Sequence, residues 1–277
     1  MSDRSAEPPR PAAAQQLLDR LDRVGEVLRE RGDALALLGL GSVGRDLHRL
    51  DEHSDLDFFA VVEDDAKPAY LAGLDWLEAA APVAFSFANT ADGRKVLFED
   101  GIYAEYAVFT LAELRDAQYP PGRVVWQRAD APAGLEVPQR TPPQDDSDLP
   151  HQVGEAMTNL LVGLHREARG ERLAAMRLVQ VHAVDRVLRI LELTGGGAAR
   201  QDLFAPERSA ERQHRGRDLP LAAMAPGYEH TASAARAVLT WLQGHCPEHL
   251  DAALVRAVER LIAQCRRPTD VSAPVES

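Results

Sequence analysis

The sequence has 277 residues, 45% hydrophobic and 27% charged, which is typical of a soluble globular protein with one large domain or two ordinary ones. Its net charge of −12 argues against a nucleic-acid polymer as the main partner, because neutralising phosphates requires a basic surface. No stretch approaches the roughly 20 apolar residues that cross a bilayer, and the N-terminus has no apolar segment after its charges. We therefore expect no membrane association, no secretory signal and a cytoplasmic location. Two cysteines in a chain of this length make a disulfide framework unexpected.

The first 130 residues predict a mixture of helices and strands, preceded by a disordered lead-in over residues 1–12. Apolar residues at helical spacing predict a helix that continues to about Arg31, and Gly32 ends it. A second helix is expected over 69–80. The segment Glu99-Asp100-Gly101 supplies the Asp-Gly signal of a hairpin turn. Short runs of apolar residues predict strands at 34–40, 56–62, 83–87, 95–98, 102–109 and, at an edge, 123–127.

The pattern then changes to helices. Residues 131–150 are rich in Pro, Asp and Gln and predict a linker, and residues 268–277 predict a disordered tail. Between them, apolar stripes predict helices over 153–164, 173–190, 231–243 and 249–265. The expected fold class is α+β: a mixed β-sheet flanked by helices over residues 13–130, followed by an α-helical bundle over residues 151–267.

A glycine turn follows the first predicted strand. Gly41 and Gly44 allow the backbone to turn sharply and to approach a ligand closely, which exposes N–H groups to an anion. The hydroxyl of Ser42 adds a donor for a phosphate oxygen, and Arg45 is a candidate phosphate contact or an ordinary surface arginine. Any strand-to-helix turn also needs glycine, so the turn alone is a weak signal.

Two aspartates begin the second predicted strand. Asp55 and Asp57 are two residues apart, so both side chains project from one face. Burying two repelling carboxylates is costly unless a cation neutralises them, and hard oxygen ligands suit Mg²⁺. The alternative is a water-exposed pair in which Asp55 supports the turn.

A third acid, Glu105, lies inside a predicted strand between Tyr103 and Ala107. Glutamate is rarely buried without a partner, so its position among apolar residues favours a ligand role. An edge strand that exposes Glu105 to water is the alternative.

These residues resemble a known family. Gly41-Ser42, then Asp55-Leu56-Asp57 at the start of a strand, then an acid on a later strand resemble the nucleotidyltransferase superfamily of DNA polymerase β, over about residues 33–110. The size and the helical C-terminal half are similar to the aminoglycoside and lincosamide nucleotidyltransferases. Many members carry Asp at the third position, whereas Glu is found in streptomycin/spectinomycin adenylyltransferases. In the helical half the resemblance is diffuse and rests on residues 169–171 and 202–208.

The resemblance implies transfer of a nucleoside monophosphate, with ATP as the expected donor, to a hydroxyl of a small acceptor such as an aminoglycoside- or lincosamide-like antibiotic, with release of pyrophosphate. By this resemblance Mg²⁺ is held by Asp55, Asp57 and Glu105, with Glu105 also the general base. Gly41 and Ser42 hold the terminal phosphates, and Arg45 is added as a candidate.

Two other functions stay open. Some minimal members of the superfamily transfer AMP to a protein side chain, although they are usually short single domains. A non-catalytic nucleotide-binding module is the third reading, and an intact set of three acids disfavours it because a binding-only site gains nothing from three repelling carboxylates. Oligomeric state is not predicted by any feature of the sequence.

Overall fold

The computed structural model describes residues 11–140, 147–195, 207, 208 and 210–265. Residues 1–10 of the predicted lead-in, the predicted tail and most of residues 202–208 lie outside this part. The chain divides into two compact units, Met1–Pro143 and Gln144–Ser277. The first contains a β-sheet with helices and the second is helical, so the predicted α+β class is confirmed. The predicted domain bounds stay predictions.

The first unit is built on a six-stranded sheet. Its strands are β1 Ala34–Gly39, β2 Leu56–Val62, β3 Val83–Ala88, β4 Gly93–Phe98, β5 Tyr103–Phe109 and β6 Arg123–Gln127. The strands lie in the order β3-β4-β5-β2-β1-β6. β2 and β5 run parallel, whereas β1–β2, β1–β6, β3–β4 and β4–β5 are antiparallel. The sheet is therefore mixed, as expected, and β2 has the predicted bounds.

Four helices accompany this sheet in the described part of the unit: α1 Ala12–Arg31, α2 Lys67–Ala72, α3 Asp75–Glu78 and α4 Leu111–Asp116. The prediction of one helix over 69–80 was wrong, because Gly73 adopts an extended conformation (φ −127°, ψ 168°) and ends α2. Helix α4 has no counterpart among the predicted elements. Its signal is a capping box, in which the Thr110 hydroxyl accepts from the Glu113 N–H while the Glu113 carboxylate accepts from the Thr110 N–H.

The two faces of the sheet differ. One face packs against α1, α2 and α3 around fully buried side chains such as Leu21, Phe58 and Trp76. On the other face a smaller apolar cluster, with Leu38, Leu114 and Tyr119, covers only one end of the strands. The remainder of that second face carries the acids named above.

A buried lysine joins three segments of this unit. Lys67, at the start of α2, donates to Asp92 Oδ1 and to Glu113 Oε2, both at 2.6 Å. Burial lowers the pKa of Lys67, but the hydrogen bonds to the two carboxylates outweigh burial and the net shift is upward. The ammonium therefore stays charged and ties α2 to the β3–β4 turn and to the start of α4.

Part of the predicted linker packs on the first unit. Tyr119 Oη donates to the Leu135 carbonyl, and the Gly122 N–H donates to the Glu136 carbonyl, each at 2.8 Å. Residues 141–146 lie outside the described part. The linker over 131–150 stays a prediction.

The described part of the second unit consists of helices. They are α5 Leu149–Ala168, α6 Arg172–Met176, α7 Ala183–Thr194, α8 Ala210–Gln213, α9 Leu221–Met224, α10 Thr231–His245 and α11 Ala252–Cys265. The long helix α5 packs against α6, α7, α10 and α11. A π-helix, Arg177–His182, connects α6 to α7, so the single helix predicted over 173–190 is interrupted. None of the helices in the described ranges is long and apolar enough to cross a membrane.

Buried polar contacts stabilise the π-helix. The Gln180 side chain donates through Nε2 to the Gly227 carbonyl at 2.8 Å and accepts from the Gly227 N–H at 2.9 Å. Gln180 is 7% exposed, so both hydrogen bonds are shielded from water. This reciprocal pair fixes the segment before α10 against the irregular part of the helix.

Candidate active site

The glycine turn lies directly against Asp57. The Leu40 N–H donates to the Asp57 carbonyl at 2.8 Å, and the chain then enters a short 3₁₀ turn, Gly41–Val43. Gly41 has φ +53°, and a Cβ added there would be 3.3 Å from Asp57 Oδ2. Glycine at this position therefore avoids a strained backbone and leaves room beside the carboxylate.

The same turn presents Ser42 and Arg45. Ser42 is half-buried, and the N–H groups that begin a helical turn have no partner within it. Arg45 is exposed and makes no hydrogen bond or ion pair with any residue that the structure describes. Both residues thus remain candidates for contacts with an anion, and their role in phosphate binding stays a prediction.

Asp57 and Glu105 are register partners across the parallel pair β2–β5. Side chains of register partners project to the same face of a sheet, and neighbouring strands are roughly 4.8 Å apart. Both carboxylates are half-buried. β5 lies between β4 and β2, so the alternative in which an edge strand exposes Glu105 was wrong.

Asp55 immediately precedes β2 and, by the alternation of side chains, belongs to the same face as Asp57. It is half-buried and lines an open cavity of about 500 Å³ with Glu52, His53 and Tyr103 among others. The other walls come from the start of α1 and from the β4–β5 turn, and neither Asp57 nor Glu105 lines this cavity. Asp55 therefore borders an opening beside the start of α1, and its sharing of a ligand with Asp57 stays a prediction.

Both oxygens of Glu105 have a partner. Lys95 Nζ lies 3.2 Å from Oε2, and Asn89 Nδ2 donates to Oε1 at 2.8 Å. Lys95 is the register partner of Glu105 on β4, on the side opposite to Asp57. The hydrogen bond to Glu105 raises the pKa of Lys95, so the ammonium stays charged. Lys95, Glu105 and Asp57 therefore form a row across three neighbouring strands, which we call the acid row.

Lys95 and Asn89 are not among the predicted site residues. For Lys95 a signal was present: the predicted hairpin turn is centred on Asp100, and a symmetric hairpin places residue 95 opposite residue 105. Asn89 follows β3, and its approach to Glu105 depends on packing between turns that the sequence pattern does not encode.

Aromatic side chains pack on the opposite face of the sheet from the acid row and also next to the row on its own face. Phe58 and Tyr106, the next register pair, stack at 5.3 Å on the helix-covered face. Burial raises the pKa of Tyr106 to about 12. On the acid face the next residues along the strands are Phe59 and Ala107, and Phe59 packs edge-on against Phe109 at 4.9 Å. A rigid apolar base therefore supports the charged row.

The described His, Cys, Asp and Glu side chains form no group of three or more that could hold a metal ion. Glu105 is engaged by Lys95 and Asn89 rather than by a shared ligand position with the aspartates. Asp55, Asp57 and Glu105 as common ligands of one cation therefore stay a prediction. Their carboxylate oxygens are nevertheless the donor type that Mg²⁺ prefers, and the row has the half-buried placement of a ligand site.

No protein-family model matches the chain, and no curated protein matches it. Several solved structures are similar to it. They include an aminoglycoside 6-adenyltransferase from Bacillus subtilis (14% identity, 90% of this chain and 91% of the other, TM-score 0.26). A spectinomycin adenyltransferase from Enterococcus faecialis, with ATP and spectinomycin, has 14% identity over 90% of this chain and 99% of the other, with a TM-score of 0.28.

A third similar structure is a CD-NTase from Bradyrhizobium diazoefficiens in complex with GTP, with 15% identity over 94% of this chain and 99% of the other and a TM-score of 0.22. TM-scores and identities this low do not establish family membership and assign no role to any residue here. The functional conclusion therefore depends on the residues of the acid row and the glycine turn.

Proposed function

We propose that the chain is a nucleotidyltransferase that moves a nucleoside monophosphate, AMP from ATP, to a hydroxyl of a small molecule of the aminoglycoside or lincosamide type. The observation that carries the proposal is the placement of Asp57 and Glu105 as register partners beside the Gly41 turn. An acid pair next to a glycine turn combines cation ligands with room for a phosphate chain.

The donor set fits Mg²⁺. Asp55 and Asp57 would hold the ion with phosphate oxygens, and Glu105 would join them after leaving Lys95. Bound there, Mg²⁺ supplies positive charge that stabilises the attacking and leaving oxygens. No softer ligand such as Cys or His is needed among the residues of the row.

The residues of the chain supply binding and proton transfer. The backbone and hydroxyl of Ser42, with the backbone of Gly41 and the Arg45 guanidinium, bind and orient the terminal phosphates. Glu105 accepts the proton of the acceptor hydroxyl on a carboxylate oxygen. The acceptor oxygen forms a bond to the α-phosphorus while the bond from that phosphorus to the pyrophosphate oxygen breaks, so pyrophosphate carries away the electron pair.

The proposal is tested with Asp57→Asn and a matched control, Asp64→Asn. Asp64 is an exposed aspartate just beyond the other end of β2, outside the acid row. We expect Asp57→Asn to lower Mg²⁺-dependent release of pyrophosphate from ATP, with a panel of aminoglycosides and lincosamides as acceptors, by at least about 100-fold. Asp64→Asn is expected to retain wild-type turnover, and both variants should keep the wild-type circular dichroism spectrum.

Three other results would contradict the proposed site or the proposed function. Full turnover by Asp57→Asn would overturn the assignment of the site. Tight Mg²⁺–ATP binding by the wild type without transfer to any acceptor would instead identify a nucleotide-binding module. Transfer of label from ATP to protein rather than to a small molecule would identify an AMPylating enzyme.

A further inference from the structure

Lysine is rare in this sequence, and each copy contacts acids. The chain has 31 Lys and Arg residues together, of which only Lys67 and Lys95 are lysines. Lys67 is buried between two carboxylates, a structural position. Lys95 instead lies on the open face, with a side chain 36% exposed, and its partner is the candidate base Glu105.

The contacts of Glu105 all come from one side. Lys95 belongs to β4, and Asn89 lies in the turn that connects β3 to β4. Asp57 lies on β2, at the opposite side of β5. Lys95 engages Oε2 and Asn89 engages Oε1, so both carboxylate oxygens of Glu105 are held from the β4 side of β5.

This arrangement separates two carboxylates that would otherwise repel each other on neighbouring strands. A divalent cation beside Asp57 reverses the preference, because it attracts Glu105 and repels the ammonium of Lys95. The same side chain therefore has two sets of partners, one available without the cation and one with it.

We propose that Lys95, with Asn89, is a positioning residue that holds Glu105 in a docked position, from which the carboxylate must be released before it shares a cation with Asp57. This inference rests on the proposed function. Lys95 does not contact the reacting atoms; it competes with the cation for Glu105. Removing its charge should therefore strengthen cation binding, which is the opposite of the effect expected for a lysine that only supports the fold.

The test measures binding of Mn²⁺ alone by electron paramagnetic resonance, which counts the free ion. Lys95→Met is expected to bind Mn²⁺ roughly twofold to fivefold more tightly than the wild type, the range for loss of a partly exposed ion pair. Lys95→Arg keeps the charge and should match the wild type. Arg29→Met, which removes an exposed charge on α1, should also match it. Lys95→Gln is a second neutral variant if Lys95→Met folds poorly.

Asp57→Asn distinguishes a failure of the docking role of Lys95 from a failure of the proposed function. If it abolishes Mn²⁺ binding but Lys95→Met and Lys95→Gln bind no more tightly than the wild type, the docking role is wrong and the proposed function is unaffected. Equal tightening by Arg29→Met would also overturn the docking role, because the effect would then be one of net charge. If the wild type binds no Mn²⁺, or binds it independently of Asp57, both the site and the docking role are wrong.

Discussion

Asp57 on β2 and Glu105 on β5 face each other across the parallel pair β2–β5. Two like charges in this position oppose folding unless a cation compensates them. Lys95 provides one positive charge from the neighbouring strand, at 3.2 Å from Glu105. The contact with Lys95 therefore places a positive charge beside Glu105, on the side of β5 away from Asp57.

Glu105→Gln should separate binding from chemistry. Glutamine keeps an oxygen to accept from Asn89 but loses the ability to take a proton, so we expect transfer to fall by roughly 100- to 10,000-fold, the usual contribution of a general base. Affinity for Mg²⁺–ATP should fall much less, because Asp55 and Asp57 are unchanged. Calorimetry for binding and pyrophosphate release for turnover measure the two effects. An equal loss of affinity and turnover would show that Glu105 acts only as a ligand.

Gly41→Ala should reduce nucleotide binding through crowding. The new Cβ would lie 3.3 Å from Asp57 Oδ2, where the carboxylate must be free to bind the cation. Gly101→Ala is the matched control, because Gly101 also has positive φ (+87°) but a Cβ there would meet no atom within 4 Å.

Both substitutions carry the penalty of a left-handed backbone, about 1–2 kcal/mol of unfolding free energy. We therefore expect similar decreases in melting temperature for Gly41→Ala and Gly101→Ala, with a loss of ATP affinity in Gly41→Ala alone. Equal ATP affinity in the two variants would mean that the turn is only a structural connection.

Glu113→Gln should make stability less dependent on acid pH. Burial raises the pKa of Glu113, but hydrogen bonds from Lys67 and Thr110 lower it more, to below its ordinary value of 4.5. Because the folded-state pKa is lowered, the ionised carboxylate of Glu113 adds to the free energy of unfolding above pH 4.5. This contribution is lost as the pH falls through the folded-state pKa.

At pH 7 the variant should melt roughly 2–4 °C below the wild type, a modest effect because the Glu113 side chain is 45% exposed. The difference should shrink as the pH falls below 4.5. Glu78→Gln, at an exposed position on α3, controls for loss of a carboxylate. Thermal unfolding across pH 3–7 measures the melting temperatures of both variants and of the wild type. If Glu113→Gln melts below the wild type by the same amount at every pH, the contact with Lys67 is not the cause.

Gln180→Ala should destabilise the helical unit. The substitution removes two hydrogen bonds and leaves the Gly227 N–H and carbonyl without them, which we expect to cost about 1–3 kcal/mol. Gln243→Ala, at an exposed position on α10, should change stability by less than about 0.5 kcal/mol. Hydrogen exchange should also show faster exchange of the Gly227 amide in the first variant. Unchanged exchange would mean that this contact does not hold the segment.

The pattern of the sequence predicts elements well where a buried strand or an amphipathic helix leaves a periodic signal. The bounds of β2 were predicted correctly because both faces of the strand are apolar except at Asp57. Periodicity cannot detect a break such as Gly73, where a single backbone conformation divides a continuous apolar pattern. The interruption of the helix at Arg177–His182 escapes prediction for the same reason, since the residues remain helical and apolar on one side.

The candidate site was predictable in part. Asp55, Asp57 and Glu105 are recognisable because acids within apolar strands need a reason to be there. That Asp57 and Glu105 are adjacent depends on the pairing of β2 with β5, which are separated by two strands in sequence, and no local pattern encodes such a pairing. Lys95 could be placed opposite Glu105 from the hairpin alone, whereas the Asn89 contact required the structure.

The scarcity of lysine limits which side chains of this protein amine-directed reagents can modify. Amine-acylating reagents modify lysine side chains that reach solvent, and of the two here Lys67 is buried and doubly paired while Lys95 lies on the open face. Among the lysine side chains, a general reagent thus becomes a selective label for the position beside Glu105. Mass spectrometry of the acylated chain would report directly on whether that amine is covered.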